Sequence, residues 1–419
     1  MIRDMREKLL FPAWLGFLGL MLAAALVGAF FVFTRGLVVT NLTDLVPWGL
    51  WITIDLSAVA LGAGAFLLSA AVYLLRIKQL EPVARTAVFI GFTGYTMACM
   101  TLLLDIGRPD RFWHSLVFWN IHSPLWEVTM CISFYLMVLT LEVLPIIGHH
   151  SFMQERFPWV AARLESVHSL APVLAVVGLG LSLLHQSSLG ATYGVLKARP
   201  IVYKEMMPIL FIVSAIAAGP ALTVLASKLA ARLTPRAHVD DALLDKISHF
   251  IGWALLGYLY LRFWDTLAMN YTFEPGRTEG LLMLTSGSLA FTFWIGEILL
   301  GTVVPSVILL NKRLRRRPNL HILALVLVIG GLVAYRWNTN IVSQLVVFNM
   351  LPNELAPVYT SYRPSLVEIA TGAGVISYGL LMFTLGVRYL NIVDHRKHGH
   401  AVQETTVSVD RAPVPVAGD

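Results

Sequence analysis

Residues 169–190 read SLAPVLAVVGLGLSLLHQSSLG, an apolar run that ends in a histidine, a glutamine and two serines. A helix needs about 20 apolar residues to cross the hydrocarbon core of a bilayer. A polar side chain left unpaired in hydrocarbon costs several kcal/mol, so four in about one turn must meet polar partners. The stretch therefore predicts a membrane helix and a polar site at its end.

Similar apolar runs recur along the whole chain. The composition is 57% hydrophobic and 13% charged, against about 25% charged in soluble domains. We predict an all-α polytopic membrane protein of about ten transmembrane helices, with a single integral membrane domain over 1–394 and a disordered cytoplasmic tail over 395–419. The predicted spans are Phe11–Phe33, Pro47–Leu75, Ala84–Leu104, Pro124–Ile146, Ser169–Leu189, Met206–Leu229, Ile247–Met269, Leu281–Leu310, Leu320–Trp337 and Ser365–Ile392.

The basic residues predict the orientation of these spans. Of the 31 Lys and Arg residues, 20 belong to one side: the N-terminus, the C-terminal tail and the connections that follow spans 2, 4, 6 and 8, counted with the two residues at the adjoining span ends. Because Lys and Arg are retained on the cytoplasmic side, both termini are expected there. This placement also explains the net charge of +6 without a nucleic-acid partner. We expect a multi-pass protein of the bacterial cytoplasmic (inner) membrane, surrounded by lipid bilayer.

The cysteines and histidines argue against metal cofactors. Cys99 and Cys131 both lie inside apolar runs, so this chain cannot supply the thiolates of an iron–sulfur cluster or a zinc site alone. A bis-histidine haem needs two histidines at matched depth, whereas His185 lies at the opposite end of its span from His168. We expect no haem, no iron–sulfur cluster and no metal site.

Polar motifs gather at the predicted external ends of several spans. With the orientation above, the motifs that fall on this side are PWGLWITID (47–55), DIGRPDRFWHS (105–115), HQSSLG (185–190), RFWDTLAMN (262–270), YRWNTN (335–340) and YRPSLVE (362–368). Helices far apart in sequence thus bring polar groups to one level of the membrane. This asymmetry predicts a polar site near the external face.

Two of these residues have side chains suited to catalysis. His185 is a neutral imidazole at ordinary pH, which donates a hydrogen bond to a carbonyl oxygen and then helps to deliver a proton. Asp55 shares one face of the second span with Trp48 and Trp51. A carboxylate inside a membrane span is costly unless it is paired or exchanges protons. A purely structural hydrogen bond is the alternative for both residues.

A second group of charged residues lies in the seventh and eighth spans. Arg262 and Asp265 are spaced to pair on one helix face, as a static ion pair or as part of a site. Glu297 lies deepest of the carboxylates and is either a proton relay or a neutral packing residue. We assign these three residues to a proton path. Arg336 is expected near a helix end, where its side chain reaches the interface, and receives little weight.

Five motifs carry a resemblance to a known family: PWGLWITIDL, DIGRPDRFW, HQSSLG followed by YKEMMPILFIVSAIAAG, FWIGEILLG and YRPSLVEIATG. They resemble the Hyb-type membrane subunit of NiFe hydrogenases, within the NrfD/PsrC family. The resemblance implies a ten-helix protein without a redox cofactor of its own, which passes electrons between menaquinone or ubiquinone and a ferredoxin-like iron–sulfur subunit on the external (periplasmic) side. Carried over to this sequence, the resemblance implies that the site residues are Trp48, Asp55, Arg108, His185, Gln186 and Ser188. Catalytic partners in this family include NiFe hydrogenases, molybdoenzymes and multihaem cytochromes.

The resemblance implies a quinone-reactive subunit of a respiratory oxidoreductase complex with coupled proton uptake, which is not catalytic alone, and the polar residues above are consistent with it. His185 and Asp55 are the predicted catalytic residues, and Trp48, Arg108, Gln186 and Ser188 the predicted quinone-binding ones. The alternatives are a membrane anchor or an ion- or solute-translocating subunit without quinone chemistry. A secondary transporter usually has broken helices near the midplane, whereas the polar groups here lie towards one side.

Overall fold

The computed structural model describes residues 2–234, 237–348, 356–390 and 392–394, and side chains from Leu10 onward. The prediction of an all-α polytopic protein is confirmed: long helices make up most of the described chain. The predicted tail over 395–419 lies outside the described residues. The long helices are α1 Ile2–Arg35, α2 Leu50–Leu74, α3 Glu81–Asp105, α4 Pro124–Gly148, α5 Ala171–Gly194, α6 Met206–Leu233, α7 Asp241–Thr272, α8 (a π-helix Thr292–Val303 continued by an α-helix Val304–Leu310), α9 Pro318–Leu345 and α10 Leu366–Tyr389.

Nine helices in the described part of the chain are long and apolar enough to cross a membrane. The helix that falls short is α7, which has 32 residues. Its C-terminal half carries Arg262 and Asp265 among tyrosines and tryptophans, which lowers its hydropathy. Nevertheless α7 lies within the bundle, packing against α6 through Ile251 and Leu255.

Side chains at the helix ends explain where several helices begin. The Ser123 side chain accepts a hydrogen bond from the backbone of α4. Asp240 accepts from two backbone N–H groups of α7. Ser365 and Glu368 form a reciprocal capping box at the start of α10. Each cap satisfies backbone donors that the first turn of a helix leaves unpaired.

The core is built around α2, which packs against α3, α5, α6 and α9. Close approach requires small residues, as is usual between membrane helices. A methyl group on Gly64 of α2 would overlap the backbone of α6 at Ala215, and one on Gly219 of α6 would overlap α2. These two glycines let the backbones touch and set the spacing of the central helices.

Contacts between helix ends define two ends of the bundle. The end where α2, α4, α6, α8 and α10 begin is here called the distal end. There, β1 Val346–Phe348 pairs antiparallel with β2 Pro357–Tyr359. Arg199, between α5 and α6, donates 2.8 Å to the Leu45 carbonyl before α2. These contacts hold the distal loops together above the helices.

Two predicted spans end too early. The predicted Ser169–Leu189 continues as α5 to Gly194, and the predicted Leu320–Trp337 continues as α9 to Leu345. The extra turns are polar but buried against other helices, so the protein, and not lipid, satisfies their side chains. Consequently His185 and Arg336 each lie nine residues inside a helix end, about 13 Å deep at 1.5 Å per residue.

Candidate functional site

His185 lies in the packed interior and is held by a tyrosine of another helix. Its Nδ1 is 2.9 Å from the Oη of Tyr95 on α3, and both side chains are buried. The Tyr95 ring packs edge-on against Tyr135 of α4 at 4.5 Å between centroids. Three helices thus fix the orientation of the imidazole. Whichever partner donates in this hydrogen bond, one polar hydrogen of the pair stays free for a further acceptor.

Asp55 is buried on α2, five residues after the helix begins. Its Oδ1 has no hydrogen-bond partner within the described residues. Tyr95 and Tyr193 lie within electrostatic range of the carboxylate. A buried carboxylate oxygen without a partner is costly, so its position needs an explanation other than packing.

Gln186, the next residue on α5, meets Arg336 of α9. Nη2 of Arg336 donates to Gln186 Oε1, the Phe211 carbonyl and Ser214 Oγ, each at 3.2 Å. The guanidinium also lies 3.7 Å from the centroid of the Phe211 ring. Nε and Nη1 of Arg336 and Nε2 of Gln186 have no acceptor among the described residues. Three buried donors are therefore left over.

The prediction that Arg336 reaches the membrane interface is wrong. Its side chain is fully buried, because α9 continues for two further turns beyond the predicted end. Among the described residues no carboxylate pairs with it, and all of its partners are neutral. A buried cation without a counter-ion is expensive. Arg336 is the strongest functional signal that the sequence analysis missed.

Trp48 lies at the distal end, just before α2. Its backbone carbonyl accepts from Gln344 and Asn340 of α9, and its ring packs against Tyr193 at 5.2 Å. Tyr193 in turn donates 2.8 Å to Asn340 Oδ1. Arg336, Asn340 and Gln344 follow one another at four-residue spacing, so they share a face of α9. That periodicity within YRWNTNIVSQ was a signal available in the sequence.

Two of the predicted quinone-binding residues are less directly placed. Ser188 is buried, but its hydroxyl donates 2.7 Å to the Leu184 carbonyl of its own helix. Arg108 lies on the distal surface with 64% of its side chain exposed, paired with Asp110 at 3.0 Å. The hydrogen bond from Arg108 lowers the pKa of the Asp110 carboxyl. The structure therefore does not bring Arg108 together with His185.

The residues assigned to a proton path do meet, in a second buried cluster. Arg262 donates from Nε to Glu297 Oε1 at 2.8 Å and from Nη1 to Asp265 Oδ2 at 3.0 Å. Lys204, between α5 and α6, lies 2.8 Å from the same Asp265 carboxylate. Burial lowers the pKa of the Lys204 amine, and the Asp265 carboxylate opposes that effect. Two cations and two carboxylates alternate, so the chain of charges is neutral overall.

Glu297 is satisfied on both oxygens. Tyr258 of α7 donates 2.9 Å to Oε1, and Asn338 of α9 donates 2.7 Å to Oε2. Glu297 lies in the middle of the π-helix, whose wider turns are often found at functional sites. Three helices therefore converge on this carboxylate. Tyr258 shares a helix face with Arg262 and Asp265 in the sequence, whereas Lys204 and Asn338 were not predicted as site residues because neither stands out in its local sequence.

The two clusters are neighbours. Tyr335, adjacent to Arg336 on α9, packs against Tyr258 with 5.5 Å between ring centroids. The Arg262 guanidinium lies 5.4 Å from the centroid of the Tyr335 ring. Within the residues that the structure describes, no group of three or more His, Cys, Asp or Glu could hold a metal ion. The absence of haem remains a prediction.

Known proteins resemble this chain over most of its length. Residues 38–348 match the family model described as polysulphide reductase, NrfD. The integral membrane subunit of menaquinone reductase from Nitratidesulfovibrio vulgaris is 35% identical over 91% of this chain and 92% of that protein. A selenate reductase subunit from Mesobacillus selenatarsenatis is 26% identical over 90% of this chain and 94% of that protein.

A hydrogenase-associated protein is also similar. The probable Ni/Fe-hydrogenase 2 b-type cytochrome subunit of Escherichia coli is 24% identical over 86% of this chain and 88% of that protein. The resemblance inferred from the motifs is thereby confirmed at the level of the family, although the relatives are named after several different enzymes. The chain belongs to the NrfD family of multi-pass membrane proteins.

Proposed function

We propose that this protein is the quinone-reactive membrane subunit of a respiratory oxidoreductase complex, with proton uptake coupled to quinone reduction. The observations that carry the proposal are the buried His185–Tyr95 pair and the buried Asp55, whose Oδ1 has no hydrogen-bond partner among the described residues. The names of the relatives support the class of reaction, since one is a menaquinone reductase subunit. Electrons would come from an iron–sulfur subunit docked at the distal end.

The leftover polar atoms suit a quinone as substrate. A quinone has two carbonyl oxygens, each of which accepts hydrogen bonds. The His185–Tyr95 pair keeps one free polar hydrogen, and Gln186 and Arg336 have unused N–H groups. The aromatic rings of Tyr95, Tyr135 and Tyr193 provide apolar walls of the kind that enclose small-molecule ligands.

Reduction of a quinone to a quinol takes two electrons and two protons. The electrons arrive from the partner, and the protons must come through this chain. Asp55 would hold one proton for transfer to the His185–Tyr95 pair. The cluster of Glu297, Arg262 and Asp265 would supply protons from the other side of Arg336. Trp48 and Ser188 would lie beside the quinone headgroup, whereas Arg108 would act only at the distal surface.

Topology and partners follow from the same proposal. The distribution of Lys and Arg supports a cytoplasmic location for both termini and a periplasmic location for the distal end, in a bacterial inner membrane. A ferredoxin-like iron–sulfur subunit then docks on the distal loops, and its catalytic partner is a NiFe hydrogenase, a molybdoenzyme or a multihaem cytochrome. A reporter fused after Arg317 should be cytoplasmic and one at Pro357 periplasmic, and the reverse result would invert this arrangement.

One observation favours a second function. The alternating charges of Lys204, Asp265, Arg262 and Glu297 form a buried polar line that an ion-translocating subunit would also need. In that case, the chain would move ions without touching quinone. The two functions differ in whether quinone binds near His185.

Quinone binding to the purified complex tests the proposal. The affinity for a fluorescent quinone analogue is measured by the quenching of its fluorescence. In His185→Ala the imidazole donor is lost, so binding should weaken by about 0.5–1.5 kcal/mol, or roughly two- to tenfold in affinity. His168→Ala is the matched control, since His168 is exposed just before the same helix α5. Equal affinity in wild type, His185→Ala and His168→Ala would reject this site and favour the ion-translocating alternative.

A further inference from the structure

A small cavity lies between α6, α7, α8 and α9, beside both buried clusters. Its volume is ≈ 20 Å³, which exceeds the roughly 10–15 Å³ that one water molecule requires. Four hydroxyl-bearing residues from the four helices line it: Ser214, Tyr258, Thr302 and Tyr335. The remaining lining is apolar. The cavity is thus polar at several points and large enough for about one water molecule.

One of these hydroxyls lacks a partner. Tyr335 is 1% exposed, and its Oη has no hydrogen bond within the described residues. The other three already have protein partners: Ser214 accepts from Arg336, Tyr258 donates to Glu297, and Thr302 donates to the Glu297 carbonyl. Buried hydroxyls are satisfied in nearly all proteins, by protein or by ordered water. The missing partner of Tyr335 is therefore best supplied from the cavity.

We propose that this cavity is a binding site for an internal water molecule, held by Tyr335 together with Ser214, Tyr258 and Thr302. The close contact of Gly301 with Gly331 brings α8 and α9 together beside it, because a methyl group on either glycine would overlap the other. The site lies within the bundle, so the water is a structural component and not part of bulk solvent.

The water joins the two clusters into one hydrogen-bonded line. On one side, Tyr258 leads to Glu297, and on the other, Ser214 leads to Arg336 and Gln186. A proton passes between Tyr258, the water and Ser214 when each accepts a proton on one side and releases one on the other, and each O–H then turns back before the next transfer. Arg336 and Gln186 hold the end of this line by hydrogen bonds and carry no proton themselves. This part of the inference rests on the proposed quinone reduction, whereas the water site itself does not.

Tyr335→Phe tests the water site apart from the proton line. It removes the unpartnered hydroxyl and keeps the ring contacts with Phe211 and Tyr258. If the hydroxyl binds water, its loss should lower the melting temperature, whereas removal of a dry unpaired hydroxyl should raise it. Tyr378→Phe on α10 is the control, because that hydroxyl donates to Thr96, in another part of the bundle.

Radiolytic footprinting of the assembled complex in ¹⁸O-labelled water reports the bound water directly. We expect labelled oxygen on Tyr335 or Leu332 in wild type and less on Leu332 in Tyr335→Phe, with a lower melting temperature. No labelling there, together with an unchanged or higher melting temperature, would overturn the water site.

Turnover then tests the proton line. In Tyr335→Phe we expect slower quinone reduction at unchanged quinone affinity, and Tyr378→Phe should match wild type. Labelled water with unchanged turnover would overturn the link between the clusters and leave the water site standing. A wild-type complex that neither binds nor reduces quinone would reject the proposed function, and the footprinting result would still decide the water site.

Discussion

Two of the buried arginines, one on α7 and one on α9, have opposite surroundings. Arg262 contacts two carboxylates, and a lysine completes a neutral chain. Arg336 has only neutral partners and two nitrogens without an acceptor among the described residues. A compensated cation stabilises the helices that it joins. An uncompensated one reduces stability and is suited to meet negative charge that arrives during a reaction, such as electrons on a quinone.

Removal of the compensated arginine should have the largest effect on stability. Arg262→Met leaves Glu297 buried without a cation and Asp265 with Lys204 alone. We expect the free energy of unfolding to fall by about 3–5 kcal/mol, measured by denaturation in detergent. Arg313→Met, at an exposed position between α8 and α9, is the control. If the free energy of unfolding fell no more than in Arg313→Met, the carboxylates of the cluster would not depend on the charge of Arg262.

Asp55→Asn should have the next largest effect, on rate. The amide keeps the shape of the side chain but cannot exchange a proton at neutral pH. We expect quinone turnover to fall about 10²-fold with the complex still assembled, in a steady-state assay with a soluble quinone. The exposed Asp44→Asn, in the loop before α2, is the matched control. Wild-type turnover in Asp55→Asn would place proton delivery elsewhere.

Arg336→Met sharpens the contrast with Arg262→Met. Because a buried charge without a counter-ion is replaced by an apolar side chain of similar length, stability should change by less than about 1 kcal/mol or increase. Quinone turnover should nevertheless fall, since the positive charge beside Gln186 is gone. A destabilisation as large as that of Arg262→Met would show that the two arginines do not differ as we infer.

Arg108→Ala should have the smallest effect. The side chain is exposed and pairs with Asp110 on the distal surface, where exposed ion pairs contribute little. We expect quinone affinity equal to that of wild type, measured with the same fluorescent analogue. Weaker binding would return Arg108 to the headgroup site, as the family resemblance first implied.

The fold was predictable because apolar runs of membrane length can be read directly from the sequence. The ends of α5 and α9 were not, since their last turns are polar and are buried by other helices instead of lipid. Asn340 illustrates the difficulty. In the sequence it is typical of a loop, but its side-chain amide donates hydrogen bonds to the Gly49 carbonyl and to Thr53 Oγ1 at the start of α2.

The candidate site was predictable only in part. His185 and Asp55 stand out because they interrupt apolar runs. Tyr95, within GFTGYTM, gives no such signal, since a single tyrosine is common in a membrane span. Its partner is decided by how α3 packs against α5, which depends on contacts far apart in sequence. The same reason hid the contact between Arg262 of α7 and Glu297 of α8.

The π-helix Thr292–Val303 has a consequence for the length of the chain. Its i→i+5 bonds accommodate more residues per turn than an α-helix does. Deletion of a single residue within the segment would replace one π-turn by an α-turn, so the side chains inside the segment, Glu297 among them, would change direction. Glu297 would then face away from Arg262. In this part of the protein, one residue more or fewer decides whether the charges meet at all.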